Sequence, residues 1–200
     1  MESDVKLIIV ACNTASAAAI ADLREAFPLP FVGMVPGLKP AVSSSPNRHV
    51  VILATEGTLD GDLYARVVDE FGRGTVIDNI PGTGLAELVE HGDCGTSAAH
   101  NAVRRVLAPT VAAGADTVVL GCTHYAFLGP TIRSEFPGIA VVDTSEAVAR
   151  RAVQVLEENA LEAPSDSLGE LDLIVSGDRD RFRETMRRLG FAPALAEAWP

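Results

Sequence analysis

Two short stretches in distant parts of the chain repeat the same order of residue types. The first reads Leu7-Ile8-Ile9-Val10-Ala11-Cys12-Asn13-Thr14-Ala15-Ser16 and the second Thr117-Val118-Val119-Leu120-Gly121-Cys122-Thr123-His124-Tyr125. Each runs from a buried-type strand through a small residue to a cysteine and then to side chains that hydrogen-bond. A thiol serves as acid and as base, because its ordinary pKa of about 8.5 lies near neutrality and neighbouring donors lower it. Two thiols on opposite sides of a carbon suit inversion at that carbon: one removes the proton from one face while the other delivers a proton to the opposite face. A single group would return the original enantiomer. Asn13, Thr14 and Thr123, with the backbone N–H groups that open the following helices, suit a carboxylate. They also suit the charge of a carbanion-like transition state.

Such groups need a scaffold, and the sequence around them alternates β-rich runs with Ala/Leu/Arg/Glu segments of helical period. Strands are predicted over Lys6–Ala11, His49–Ala54, Gly74–Asp78, Thr117–Leu120, Ala140–Asp143 and Leu171–Val175. Helices are predicted over Ser16–Ala26, Gly61–Phe71, Gly84–His91, Ala98–Ala113, Pro130–Phe136, Ser145–Glu158 and Arg179–Leu189. This order implies an α/β fold with mainly parallel sheets flanked by helices. In such sheets ligands bind beyond the carboxyl ends of the strands, where both thiols fall. Ala11 and Gly121 are small enough to let the chain turn there and a ligand approach the backbone. Pro36–Asn47, rich in Pro, Gly and Ser, reads as a crossing between two lobes, with a short helix allowed at Ala41-Val42. Glu162–Gly169 reads as a surface linker, and Met1-Glu2-Ser3 as the end of an upstream helix.

Composition narrows the function. The 200 residues are 48% hydrophobic, enough for a sizeable core. Acidic residues outnumber basic ones 27 to 16, giving a net charge of −11 that argues against a nucleic-acid surface. The apolar runs are too short to span a bilayer, and no basic-led apolar leader opens the chain, so a cytoplasmic protein acting on a small molecule is expected, with no membrane partner. The three cysteines are expected to be free thiols.

Each singled-out residue also has a plainer reading. Cysteine is commonly a core residue, but two matched contexts argue against that for Cys12 and Cys122. Cys94, in His91-Gly92-Asp93-Cys94-Gly95, reads as a loop thiol. A zinc site using Cys12, Cys122 and His124 lacks a fourth ligand and a common spacing, so no metal is expected. Asn13, Thr14 and Thr123 are also good helix caps, a role compatible with ligand binding. Glu90 fits a solvated charge as well as a functional one, and His49, His91 and His100 read as surface or strand-edge residues. Arg179–Arg188 interleaves acids at helical spacing and reads as a solvated face.

The pair Ala11–Ser16 (A-C-N-T-A-S) and Gly121–Tyr125 (G-C-T-H-Y) resembles the two signatures of the glutamate racemases within the aspartate/glutamate racemase superfamily. Leu53-Ala54-Thr55-Glu56-Gly57-Thr58 is similar to the family's Thr-x-x-Thr segment. Leu88-Val89-Glu90-His91-Gly92 is similar to its L-V-E-x-G segment, and Ser176-Gly177-Asp178 with Phe182 to its S-G-D segment. The resemblance implies that Cys12 and Cys122 are catalytic, that His124 assists Cys122 and also touches substrate, and that Glu90 joins the same acid/base network. Asn13, Thr14, Thr55, Thr58 and Thr123 would be substrate contacts. It further implies interconversion of L- and D-glutamate for bacterial peptidoglycan without a cofactor. Pyridoxal phosphate would need Lys6 or Lys39, the only lysines present, and neither has a convincing context. Two lobes are expected, residues 1–33 with 145–200 forming an incomplete first one and 34–144 the second.

The sequence departs from the family at its start. A strand with a D-S-G-x-G-G turn and a later P-Y-G-type segment usually precede the first cysteine motif, and here only eleven residues precede Cys12. The reading is therefore of a fragment, an incomplete gene model or a shortened homologue, with an exposed apolar sheet edge prone to associate, for instance as a homodimer. A non-catalytic remnant, or a sister racemase acting on aspartate, hydantoins or a malonate, are the alternatives.

Overall fold

The computed structural model describes residues 5–164, 169 and 171–191. The expected upstream helix end at Met1–Ser3 and the core of the expected linker, residues 165–168, lie outside them. In chain order the first elements are β1 (Ile8–Ile9), α1 (Asn13–Ala26), β2 (Phe31–Val32), α2 (Leu38–Ser44), β3 (His49–Ala54), α3 (Glu56–Leu59), α4 (Asp62–Phe71) and β4 (Val76–Pro81). They are followed by α5 (Leu85–Glu90), α6 (Ser97–Ala112), β5 (Thr117–Gly121), a 3₁₀ turn over Thr123–Leu128, α7 (Gly129–Glu135), β6 (Ala140–Val142), α8 (Ser145–Glu158) and α9 (Arg179–Arg188). The expected α/β class is observed, with parallel strands joined through helices.

Four strands form one parallel sheet in the order β4-β3-β5-β6. Its centre shows why near-continuous apolar runs fold as inner parallel strands: both faces are covered, so both sets of alternating side chains are buried. Val51, Leu53, Val118 and Leu120 face α5, α6 and α7 through Leu85, Val103, Leu107 and Ile132. Val50, Ile52, Ala54 and Val119 face α2 and α4 through Leu38, Ala41 and Tyr64. Leu53 pairs with Leu120, and Ala54 with Gly121. The strand ends that precede Thr55 and Cys122 are thus neighbours.

A second sheet is much smaller. β1 and β2 pair in parallel, Ile8 with Phe31 and Ile9 with Val32, and α8 covers them through Ala152 and Val155 against Val32. Ile9, Val5 and Phe27 are exposed, as is Val153 on α8. The apolar edge expected at the first strand is therefore present.

Several boundaries differ from expectation for local reasons. β1 covers two residues rather than Lys6–Ala11 because β2 offers only two partners. The Pro28-Leu29-Pro30 stretch before β2 hides it in the sequence. β4 begins at Val76, not Gly74, because Gly74 turns with φ +70° and its carbonyl accepts from the Arg48 guanidinium at 2.7 Å. It closes at Pro81, tolerated at the end of an edge strand because proline has no N–H to leave unpaired. Leu171–Val175 forms no strand: among the described residues nothing pairs with it, and Ile174 is almost fully exposed.

Candidate active site

Helix α1 begins three residues before the expected Ser16, which makes Cys12 its N-cap. The backbone there is extended, and the Cys12 sulfur accepts the Ala15 N–H at 3.4 Å. The thiol is exposed. The sulfur thus stands at the start of a 14-residue helix, where the first N–H groups lack intrahelical partners. Ser16 anchors this turn. Its hydroxyl donates to the Val10 carbonyl at 3.1 Å and accepts from the Met34 N–H at 2.9 Å, tying the end of the first motif to the chain beyond β2.

The two residues after Cys12 differ in how their polar groups are satisfied. Asn13 is 4% exposed, and neither its amide oxygen nor its amide nitrogen has a hydrogen-bond partner among the described residues. A buried, unpaired amide costs about 1–3 kcal/mol, so a site that supplies its partner recovers that energy. Thr14 closes a triangle of hydroxyls: its Oγ1 lies 2.7 Å from Thr55 Oγ1 and 3.0 Å from Thr58 Oγ1, and the latter two are 3.0 Å apart. The first cysteine motif is thereby joined to the chain leaving β3.

Cys122 lies across that strand end. Gly121 is needed less for turning than for packing, since a Cβ there would sit 2.7 Å from the Ala54 Cβ. The half-buried Cys122 sulfur is 3.7 Å from His124 Nδ1, and His124 Nε2 is 2.6 Å from Glu90 Oε1. Glu90, ambiguous in the sequence, stands at the end of α5 and completes a sulfur–imidazole–carboxylate chain. The Cys122 sulfur contributes most to holding the proton on His124; partial burial opposes it and Glu90 assists, so the imidazole pKa is pushed up to about 9. Tyr125 fixes the turn that carries these groups. It is buried, it donates from its hydroxyl to the Gly82 carbonyl at 2.9 Å, and burial raises its pKa.

Two open volumes adjoin these groups. One of about 340 Å³ lies between the Thr55–Gly57 segment and the Pro81–Gly84 turn, with Tyr125 on its wall. Another of about 210 Å³ is lined by Glu90, Thr123, His124 and, from α9, Phe182 and Thr185. The contribution of α9 is absent from the sequence reading, although the S-G-D segment with Phe182 is its signal. Thr185 donates to the Glu90 carbonyl at 2.8 Å, and Arg188 pairs with Asp93 at 2.5 Å, so α9 packs on the end of α5. Among the described residues no group of three or more His, Cys, Asp or Glu side chains is placed to hold a metal ion. Cys94 sits in a loop, as expected, half-buried against the core, where burial raises its pKa.

An α/β scaffold that carries two strand–small–Cys units, one with an imidazole and a carboxylate behind its sulfur, has the layout of a thiol acid/base isomerase. The chain belongs to the Asp/Glu/Hydantoin racemase family, whose sequence model matches residues 1–152. Similar proteins include the glutamate racemase of Herpetosiphon aurantiacus, 40% identical over 183 residues that make up 91% of this chain and 72% of that one. The glutamate racemase of a Roseiflexus species is 42% identical over 187 residues, 92% of this chain and 69% of that one. Among solved structures, Escherichia coli glutamate racemase in complex with L-glutamate and the activator UDP-MurNAc-Ala superposes with a TM-score of 0.78 at 33% identity, covering 94% of this chain and 72% of that one.

Proposed function

We propose that this chain interconverts L- and D-glutamate without a cofactor, with Cys12 and Cys122 as the two acid/base groups. One sulfur, as thiolate, takes the α-proton. The electron pair of the C–H bond moves toward the substrate carboxylate, and the other sulfur, as thiol, gives its proton to the opposite face. The product is the mirror image, and the thiol and thiolate have exchanged places. Preorganised donors aimed at the developing charge lower the barrier in such a step. Asn13, Thr14, Thr55, Thr58 and Thr123 are assigned to substrate, while His124, held by Glu90, keeps Cys122 supplied with its proton and also touches substrate.

The observation that carries this reading is the Thr14–Thr55–Thr58 triangle, because it ties the Cys12 motif to the strand end beside Cys122. The reading also takes residues 1–33 with 145–200 as one lobe and 34–144 as the other, with α9 reaching from the first onto α5 of the second. Glutamate rather than aspartate is favoured by the names of the similar proteins. D-glutamate is the isomer that bacterial peptidoglycan takes, and that use supports a cytoplasmic reaction. Among the described residues no helix is long and apolar enough to cross a membrane. The exposed edge at Ile9 and Val5 supports a homodimer. Circular dichroism of enantiopure L- and D-glutamate incubated with the chain should decay to zero from both sides, with L-aspartate unchanged. A glutamate signal that stays constant from either side refutes the assignment.

A further inference from the structure

Helix α1 approaches the segment 55–62 so closely that a Cβ on either of two glycines there would make an unusually tight contact. Beside the hydroxyl triangle, a Cβ on Gly57 would lie 3.0 Å from the Thr14 Cγ2, and a Cβ on Gly61 would lie 3.0 Å from the Ala17 Cβ. Thr14 and Ala17 are three apart and share one face of α1. Backbone conformation does not require glycine at either place. Gly61 has φ −79° and ψ 139°, and Gly57 is not among the glycines of positive φ. In a helix such as α3, alanine is the better former. What the two glycines supply is proximity.

That proximity has a functional coordinate. α1 starts at Cys12, and its first residue is Asn13, buried with no partner among the described residues. The 55–62 segment leaves β3 at Ala54, the register partner of Gly121, which precedes Cys122. The distance between α1 and this segment is thus the distance between the element that carries the first thiol and the sheet that carries the second. We propose that Gly57 and Gly61 are positioning residues that set the sulfur-to-sulfur gap across the substrate α-carbon. The inference rests on the two-thiol reading above. Both sulfurs must reach the same carbon for inversion, whereas one in reach suffices for exchange with retention. A wider gap therefore uncouples exchange from inversion.

The test compares the chain with Gly57→Ala, Gly61→Ala and the double variant Gly61→Ala/Ala17→Gly. Each is given L-glutamate in D2O; deuterium at Cα of the remaining L-isomer is read by NMR and inversion by circular dichroism, with melting curves alongside. For Gly61→Ala, whose methyl meets a Cβ fixed on a helix, kcat for inversion should fall about tenfold or more with KM within about threefold. Deuterium in the remaining L-isomer should then outrun inversion. Ala17→Gly in the same chain should restore both. Gly57→Ala should uncouple in the same direction, because Thr14 Cγ2 can turn aside only by taking Thr14 Oγ1 out of the hydroxyl triangle, and it supplies the same readout if Gly61→Ala does not fold. A folded Gly61→Ala with unchanged ratio of exchange to inversion, or a loss that Ala17→Gly does not repair, overturns the spacer role alone. If the parent chain inverts nothing, the two-thiol reading falls and the spacer role falls with it.

Discussion

The two thiols end similar strands, yet their surroundings differ. Cys122 closes a fully buried strand at the centre of a four-stranded sheet, and its acid/base partners lie in line behind it, His124 and then Glu90. Cys12 follows a two-residue strand of a two-stranded sheet, is exposed, and is served mainly by backbone: the N-terminus of α1, with Ser16 holding the turn. The difference teaches that one fold can tune the same functional group in two ways. A side-chain relay stores a proton beside Cys122, whereas the first turn of a helix supplies a backbone N–H donor to Cys12. It also teaches that the Cys122 half is built on the core while the Cys12 half is leaned against it through Thr14 and Ala17.

The largest expected effect removes the chemistry and spares the frame. Cys12→Ser and Cys122→Ser should each lower racemisation by about a thousandfold or more, since a serine hydroxyl is a far weaker acid and base near neutrality. Either variant racemising within tenfold of the parent, by circular dichroism, would mean that its sulfur is dispensable.

Stability should divide along the same line. Leu53→Ala, in the fully buried centre of β3, should cost about 2–5 kcal/mol in urea unfolding. Ile9→Ala, at a residue 43% exposed, should cost under about 1 kcal/mol. Equal costs would contradict the picture of a large core with a small appended sheet.

The relay should be visible through pH. His124→Asn should reduce kcat about a hundredfold. In the parent chain the His124 ring should titrate by NMR near 9 rather than 6.5, so the imidazolium that resupplies Cys122 is present at neutral pH and lost as pH rises through about 9. The sign for folding is the same: a raised imidazole pKa favours the folded state fully below 6.5, and that contribution fades as pH climbs through about 9. A ring titrating below 7 would separate His124 from Cys122 and Glu90. The smallest effect is expected at Glu90→Gln, about tenfold in kcat with the alkaline limb moved to lower pH, because the carboxylate acts only through the imidazole, whose pKa it helps to raise.

Where the sequence carried a strong physical signal, it foretold structure well. Val50–Ala54 is an unbroken apolar run, and β3 emerges with the expected bounds His49–Ala54, as α8 does with its expected ends at Ser145–Glu158. The thiol motifs were legible because each joins a strand, a small residue and a cysteine. What escaped depends on contacts between distant residues. Cys12 as a cap is hidden because thiols are not favoured N-caps, so the residue pattern alone starts α1 at Ser16. Leu171–Val175 has strand composition without a strand beside it. The Glu90–His124 contact spans 34 residues of chain, the Thr185–Glu90 bond 95, and local pattern reports neither.

The central claim is that the two sulfurs work on opposite faces of one carbon, and it is tested most directly by following deuterium at Cα in the single-cysteine variants. Supplied separately with L- and D-glutamate in D2O, Cys12→Ser should exchange the α-proton of one enantiomer with retention, and Cys122→Ser should exchange only the other. Exchange of the same enantiomer by both variants, or of both enantiomers by either one, would contradict the account.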